Sequence, residues 1–314
     1  MLSVVVIGKN EEENIPRTIE SLKYLRGKAQ FPVEYLFVDS ASTDHSVDIA
    51  RSFFDNVYTL EASDYLCASA GRYIGSLKAQ YQWILYLDGD MELCPEFIDY
   101  LCDNLCSYNI NTGIIGRYIF HYNDNTFQDK TSSKYRHNQH VGFFGGAILL
   151  HKEAVLNTGN WNPSIFSNEE IDLYTRLRAK TYRVIFIDLP MIRHYTRKES
   201  YLAILSNLFR KSKAGKKYYG FGQILHARIR NGDIYDFIKY NHYPFVYFFV
   251  LIVSIILLFS FISLSIFIFG FALVYISIFK GYKYIIIYTS YILSILYGWN
   301  KYNNKFKPRV IYIE

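Results

Sequence analysis

At 314 residues, with 51% hydrophobic and 20% charged residues and a formal net charge of +6, the chain can hold one large domain or two modest ones with a sizeable core. Cys67, Cys94, Cys102 and Cys106 have no zinc-finger spacing and fit buried thiols in a reducing compartment. The apolar residues are unevenly spread: up to about residue 240 charges are mixed in, whereas Tyr243 to Phe279 carries none and reads as a membrane segment.

In chain order, Leu2 to Ile7 is a β-branched run that predicts a central strand, followed by Gly8-Lys9-Asn10 and an acidic helix start at Glu11-Glu12-Glu13. Val33 to Val38 predicts a second strand, ending in turn and cap residues from Asp39 to Asp44 before a helix through Val47, Ile49 and Ala50. A third strand near Val57 to Leu60 and a helix from about Leu66 to Lys78 lead to Trp83 to Leu87, a buried strand that stops at Asp88 and Asp90. Strands alternating with helices imply a parallel sheet with right-handed crossovers, and ligands bind beyond the carboxyl ends of such strands. Gly8, Asp39 and Asp88 all fall at those ends, and Arg72 on the intervening helix offers a cation.

Asp88 and Asp90 repel unless a cation or protons offset them, and a hard divalent ion does so while leaving positions open for phosphate oxygens. Asp88-Gly89-Asp90 therefore reads as a metal-diphosphate site, against the plainer alternative of a polar turn after a strand. No Gly-x-Gly-x-x-Gly follows the first strand and no Gly-x-x-x-x-Gly-Lys-Ser/Thr occurs, which argues against a dinucleotide oxidoreductase and a P-loop NTPase. Asp39 suits hydrogen bonds to a base or ribose.

Ser3-Val4-Val5-Val6-Ile7-Gly8-Lys9-Asn10-Glu11, Val38 to Asp44, Ala70-Gly71-Arg72 and Leu87 to Asp90 resemble, in order, the motifs of family 2 glycosyltransferases. The resemblance runs on through Gly145-Gly146-Ala147 and Asn168 to Asp172, covering roughly residues 1 to 195. It implies an α/β GT-A fold, Rossmann-like with a mostly parallel sheet, and an inverting, metal-dependent transferase using a nucleotide-diphosphate sugar donor. Matched by position, Gly8, Asn10, Glu11, Asp39, Arg72 and Asp88 would surround the nucleotide, Asp90 would ligate Mn²⁺ or Mg²⁺ with help from Asp88, and Gly145 and Gly146 would lie near the donor sugar.

Gly113 to Phe120 predicts a strand leading into a polar loop, Asn123 to His140, with the length of a lid or a surface excursion. Ala147 to Leu150 and Val184 to Ile187 predict the last strands. Inverting transfer needs a carboxylate to take the acceptor's proton. Glu170 stands where the family most often has Asp and is the nominated base, with Glu169 and Asp172 as alternatives; Ser167-x-x-Glu170 also reads as a capping box. His194, in Ile192-Arg193-His194-Tyr195, resembles a family histidine that reaches the metal or diphosphate.

From Phe209 to Tyr240, Arg210, Lys211, Lys213, Lys216, Lys217, Arg228, Arg230 and Lys239 are interleaved with aromatics. The apolar run beside them assigns this collar to anionic lipid and the cytoplasmic side rather than to nucleic acid. Tyr243 to Phe279 fits two short spans in a hairpin, returning Lys280 and Lys283 to the cytoplasm, and Tyr284 to Trp299 is a short aromatic segment, interfacial or spanning, before a basic tail. The expected organisation is thus a transferase domain over 1–200, juxtamembrane helices over 201–242, a membrane hairpin plus aromatic segment over 243–300 and a tail over 301–314, with no signal peptide and the catalytic domain on the cytoplasmic face of a bacterial-type inner membrane. Expected partners are the nucleotide-sugar donor, a lipid-linked or glycan acceptor in cell-surface polysaccharide assembly, and membrane lipids. A polyprenyl-phosphate sugar transferase and a noncatalytic scaffold of the same fold are the rival readings; a processive synthase fits less well, as no Gln-x-x-Arg-Trp motif occurs.

Overall fold

The computed structural model describes residues 1–129, 131, 135–197, 219–258, 262–279 and 283–312. They divide into two units: one of Met1–Ser164, Glu169–Glu199 and Lys305–Glu314, the other of Ile165–Asn168 and Ser200–Asn304.

The first unit is built on a sheet. Its β-branched run becomes β1 (Leu2–Gly8), buried nearly throughout and flanked in parallel by β2 (Val33–Asp39) and β4 (Trp83–Asp88), with β3 (Asn56–Leu60) beyond β2. The crossovers between them carry α1 (Ile15–Lys28), α2 (Ser46–Arg51) and α3 (Ala68–Lys78). Two glycines let α3 lie close against β1: a Cβ at Gly75 would come within 2.2 Å of Val5, and one at Gly71 within 3.0 Å of Ile7. The register sets Gly8 opposite Asp39 and Ile7 opposite Asp88, so the three strands end level.

Past the Asp88-Gly89-Asp90 turn come β5 (Met91–Leu93), α4 (Pro95–Asn104), β6 (Thr112–Tyr122), β7 (Phe127–Asp129), β8 (Gln139–His140), β9 (Ile148–His151), α5 (Lys152–Asn157), α6 (Glu169–Ala179) and β10 (Arg183–Thr196). A last strand, β11 (Val310–Tyr312), adds antiparallel to β3. Sheet order is β11-β3-β2-β1-β4-β9-β6-β10-β5, with β7 beside β6 and β8 beside β10. The sheet is mixed: β9 runs antiparallel to both β4 and β6.

Two expectations change here. The last strand does not end at Ile187: it continues through Pro190 to Thr196, with register shifts between Phe186, Pro190 and Ile192 that absorb the proline's missing donor. The polar loop contains β7 and β8, which borrow hydrogen bonds from β6 and β10; Lys130, Ser132, Ser133 and Lys134 of that loop lie outside the described residues.

The second unit is helical: α7 (Gly220–Asn231), α8 (Ile234–Tyr240), α9 (His242–Leu258), α10 (Ile262–Phe279) and α11 (Lys283–Gly298). Gly232, at φ 77°, ends α7 in the left-handed conformation that glycine adopts without steric cost. Glycine also permits a close crossing of α7 and α11, where a Cβ at Gly222 would fall 2.1 Å from the Ser294 carbonyl oxygen; Phe221 and Tyr291 stack there with ring centroids 4.4 Å apart.

The apolar run does break into two helices, as a hairpin requires, but α9, α10 and α11 have 17, 18 and 16 residues. At 1.5 Å per residue these reach about 24 to 27 Å, short of a hydrocarbon core of about 30 Å. Among the described residues no single helix is long and apolar enough to cross a membrane; Ile234–Tyr240 and His242–Leu257 meet that measure only as a pair, bent by 91°. The central part of the basic collar, Arg210, Lys211, Lys213, Lys216 and Lys217, lies outside the described residues, as does Lys280.

Candidate active site

The site forms where β1, β2 and β4 end. Asn10 takes φ 56° and Ala41 φ 58°, turning the chain sharply after β1 and β2, and the two loops are sewn together. The Asn10 amide donates to Ser42 Oγ at 2.8 Å, the Thr43 amide to Asn10 Oδ1 at 2.8 Å, and the Glu11 amide to Ser46 Oγ at 2.7 Å. Asp39, fully buried, accepts the Ser42 amide at 3.0 Å in an Asx turn. Gly8 is required by packing, since a Cβ there would meet the Phe37 ring at 2.8 Å.

The Asp88-Gly89-Asp90 turn is pinned beside these loops. The Gly89 amide donates to the Ile7 carbonyl at 2.7 Å, and the Thr18 hydroxyl lies 3.0 and 2.9 Å from the Gly89 and Met91 carbonyls. Immediately after it β5 pairs antiparallel with the end of β10, setting His194 opposite Met91, and the Tyr195 amide donates to the Asp90 carbonyl at 3.0 Å. The result is a contact across 104 residues of sequence: His194 Nε2 lies 3.0 Å from Asp90 Oδ2. Glu11 packs against the same turn, and its carboxyl is pushed up from its ordinary value by burial and by the charges of Asp90, Asp88 and Asp44, against the Asn14 hydrogen bond.

Negative charge concentrated in this way favours a cation. Carboxylate and imidazole atoms about 3 Å apart have the spacing of neighbouring ligands on one octahedral ion with bonds near 2.1 Å. Asp90 and His194 thus fit two positions of a Mn²⁺ or Mg²⁺ site whose remaining positions substrate oxygens could fill. Among the described residues no group of three His, Cys, Asp or Glu side chains is arranged as a complete metal cage.

Asp88 is turned elsewhere. It accepts from Arg72 Nη2 at 2.6 Å, while Arg72 Nη1 donates to Glu169 Oε1 at 2.6 Å. Arg72 is only 1% exposed and sits 5.0 Å over the buried Trp161 ring. Burial alone would lower its pKa, but Asp88, Glu169 and Glu170 outweigh that and raise it, so the guanidinium is a fixed charge. The pair also explains Gly146, where a Cβ would lie 2.6 Å from both Arg72 Nη2 and Asp88 Oδ2; at Gly145 the Tyr118 ring fills the corresponding space. A Gly146→Ala substitution is therefore expected to push the ion pair apart, costing about 1–3 kcal/mol of stability. A thermal melt beside wild type checks it, and an unchanged melting temperature would contradict the packing.

The three carboxylates at the start of α6 sort themselves by partner. Glu169 is held by Arg72, and Asp172, fully buried, by Arg176 at 2.7 Å. Glu170 has neither cation as a direct partner. Burial and then the Glu169 charge push its carboxyl up, to about 8, against the lowering effect of Arg72. The helix begins at Glu169, so Glu170 occupies its second position rather than the third, where a capping box would need it.

A cavity of about 1220 Å³ opens at this end of the sheet, lined on one wall by Asn10, Glu11, Arg17 and Asp90 and on another by Phe120, Tyr122, Phe127, Tyr195 and Arg197. Of the residues predicted from sequence, Asn10, Glu11 and Asp90 line it; Gly8, Asp39, Arg72, Asp88 and His194 do not, nor do Gly145, Gly146 and the α6 carboxylates Glu169, Glu170 and Asp172. The second wall was not anticipated. Its aromatics come from strand ends that meet only by nonlocal pairing, and alternation in β6 gives no hint of a ligand.

A model of the family described as "Glycosyl transferase family 2" matches residues 3–163. Among curated proteins, the chain is 26% identical over 99 residues to the 4,4'-diaponeurosporenoate glycosyltransferase of Staphylococcus haemolyticus, an alignment covering 30% of this chain and only a quarter (25%) of that protein's length. Among solved structures, S. aureus TarS 1-349 in complex with UDP-GlcNAc aligns at 16% identity with a TM-score of 0.52, covering 73% of this chain and 72% of that one. GalNAc-T7 with UDP, GalNAc and Mn²⁺ aligns at 15% identity with a TM-score of 0.50, covering 77% and 54%. At such identities the structural likeness speaks to the fold.

Proposed function

The chain belongs to glycosyl transferase family 2, and from that premise we propose that it moves a sugar from a nucleotide-diphosphate donor, with inversion, to a lipid-linked or membrane-proximal acceptor. The observation that carries this reading is the convergence of Asp90 and His194 beside Glu11, next to a buried Arg72 that engages Asp88 and Glu169 rather than Glu170. TarS holding UDP-GlcNAc and GalNAc-T7 holding UDP with Mn²⁺ support the donor class and the ion.

In this reading the loops after β1 and β2 cradle the nucleoside, with Asn10 and Glu11 on the cavity wall and Asp39 bracing the turn. Asp90 and His194 would hold Mn²⁺ or Mg²⁺, which when bound neutralises the diphosphate as it leaves. Arg72 holds Asp88 and Glu169 in place, and Gly146, with Gly145 before it, lies beside the Arg72–Asp88 pair on the donor-sugar side. Glu170 takes the proton from the acceptor hydroxyl. A carboxyl with a pKa near 8 is well matched to that task near neutral pH. The chargeless run from Tyr243 to Phe279 supports an acceptor presented at a membrane, on the cytoplasmic face, for cell-surface polysaccharide assembly.

The test is a panel of nucleotide sugars offered with and without Mn²⁺ in a thermal-shift assay and then in a transfer assay. A donor at 100 times its Kd adds about 2.7 kcal/mol of stability, a shift of several degrees for a domain of this size. No metal-dependent shift and no hydrolysis or transfer from any donor would refute the reading.

A further inference from the structure

The helical unit leaves the sheet and comes back to it. It departs after β10, whose last residues pair with β6 (Tyr195 with His121, Thr196 with Tyr122), and it returns at β11, whose Val310, Ile311 and Tyr312 pair with Leu60, Thr59 and Tyr58 of β3. The return is fixed by more than one contact: the Glu61 amide donates to the Arg309 carbonyl at 2.8 Å, and the Phe306 and Tyr65 rings pack with centroids 5.3 Å apart. Both ends of the helical insertion are thus woven into one hydrogen-bonded sheet. A sheet cannot be shared across a bilayer, because its unpaired edges and irregular loops find no water in the hydrocarbon region.

The insertion itself has the chemistry of a lipid-facing element. Phe249, Ile256, Ile266, Phe271 and Leu296 are each more than 60% exposed on α9, α10 and α11, and no charge interrupts Tyr243 to Phe279. Arg230, Lys239, Lys283 and Lys301 flank the apolar helices, a charge distribution complementary to anionic headgroups. α8 and α9 meet at a 91° bend, the form of a helix lying along an interface and then turning inward.

The geometry points to a same-side membrane insertion: α9 to α11 enter a bilayer and leave it on the face that carries the sheet, so that the number of crossings is even and three successive spans are excluded. This rests on the membrane reading of the apolar helices and settles the aromatic segment around α11 as either one arm of a pair or an interfacial helix. It also keeps the basic residues before β11, Lys301, Lys305 and Lys307, on the same face as the transferase site.

Of the four cysteines expected to be buried only Cys94 is, and the exposed Cys106 on the sheet unit gives the full chain its own reference for sidedness. Asn304→Cys adds a fifth thiol at the exit of the helices, on an exposed polar position, and Lys307→Cys provides an independent one should the first variant fold poorly. Membranes of cells expressing each variant are prepared as spheroplasts and as inverted vesicles, treated with a membrane-impermeant maleimide, and mapped by peptide. The expected result is co-labelling: position 304 or 307 reacts wherever Cys106 reacts, to within about a factor of two, and is protected wherever Cys106 is protected. Reaction of the introduced cysteine in the preparation that protects Cys106 overturns the inference while leaving membrane attachment intact. Recovery of the chain in the soluble fraction overturns the membrane reading itself, and the inference with it, before any labelling is read; a second copy of the chain covering the apolar helices would give that outcome together with a dimer's mass.

Discussion

Glu170→Gln is expected to lower the rate of transfer to a hydroxyl acceptor by about 10²–10⁴-fold, the usual contribution of general base catalysis, with little change in donor affinity. Glu169 and Asp172 cannot readily substitute, because Arg72 and Arg176 hold them in ion pairs of 2.6 and 2.7 Å. The pH dependence carries a signature. A base works only when deprotonated, and burial together with the Glu169 charge sets Glu170 near 8. In wild type, kcat/KM should therefore rise about tenfold per pH unit below that value and level off above it, whereas the glutamine variant should lack the rise. The same shift acts on stability. A carboxyl whose folded pKa lies above its unfolded one contributes stability that is full below the unfolded pKa and is lost as pH rises through about 8. Melting temperatures should accordingly favour the variant at pH 9 and converge at pH 4. Undiminished transfer by Glu170→Gln would redirect the reading to a polyprenyl phosphate acceptor, which is already ionised and needs no base.

Asp90→Asn should abolish the metal-dependent thermal shift produced by the donor and reduce transfer by on the order of 10²-fold or more. The amide retains the size and much of the hydrogen bonding to His194 but removes the charge that a divalent ion requires, so the fold is preserved while ion affinity falls. Asp88→Asn predicts a different phenotype. Asp88 pairs with the buried Arg72, and removing its charge leaves a desolvated guanidinium with Glu169 as its remaining carboxylate partner at hydrogen-bond distance, which costs stability even without ligand. Calorimetric titration with Mn²⁺ and a nucleoside diphosphate, beside melts without ligand, separates the two: binding lost with stability kept for Asp90→Asn, stability lost for Asp88→Asn. Equal ion binding by Asp90→Asn and wild type would remove Asp90 from the proposed metal site. Absence of any nucleotide binding by wild type would instead revive the noncatalytic scaffold.

Much of the sheet was legible from local pattern alone. β1, β2 and β4 are strands buried nearly throughout with apolar runs at their centres, and the residues that end them, Gly8, Asp39 and Asp88, mark where the backbone leaves the core. The order of short acidic and glycine motifs along the chain was enough to place it in its family before any contact was known. β5, β7, β8 and β11 were not legible, because segments of two or three residues have no period to detect and exist only through the strand they pair with. The same holds for the continuation of β10 past Pro190, where local preference says stop and the register shift against β6 allows the strand to go on.

The sequence by itself determined the fold class, the family, and which side chains are candidates for chemistry, because these follow from hydrophobic period and from residue types in fixed order. Only the tertiary structure decided how those candidates divide the work. It set His194 against Asp90 through the β5–β10 pairing and locked Asp88 and Glu169, rather than Glu170, onto Arg72. Each of these is a distance between residues 16 to 104 positions apart, and ionic and hydrogen-bond energies depend steeply on distance and burial, neither of which one-dimensional order contains.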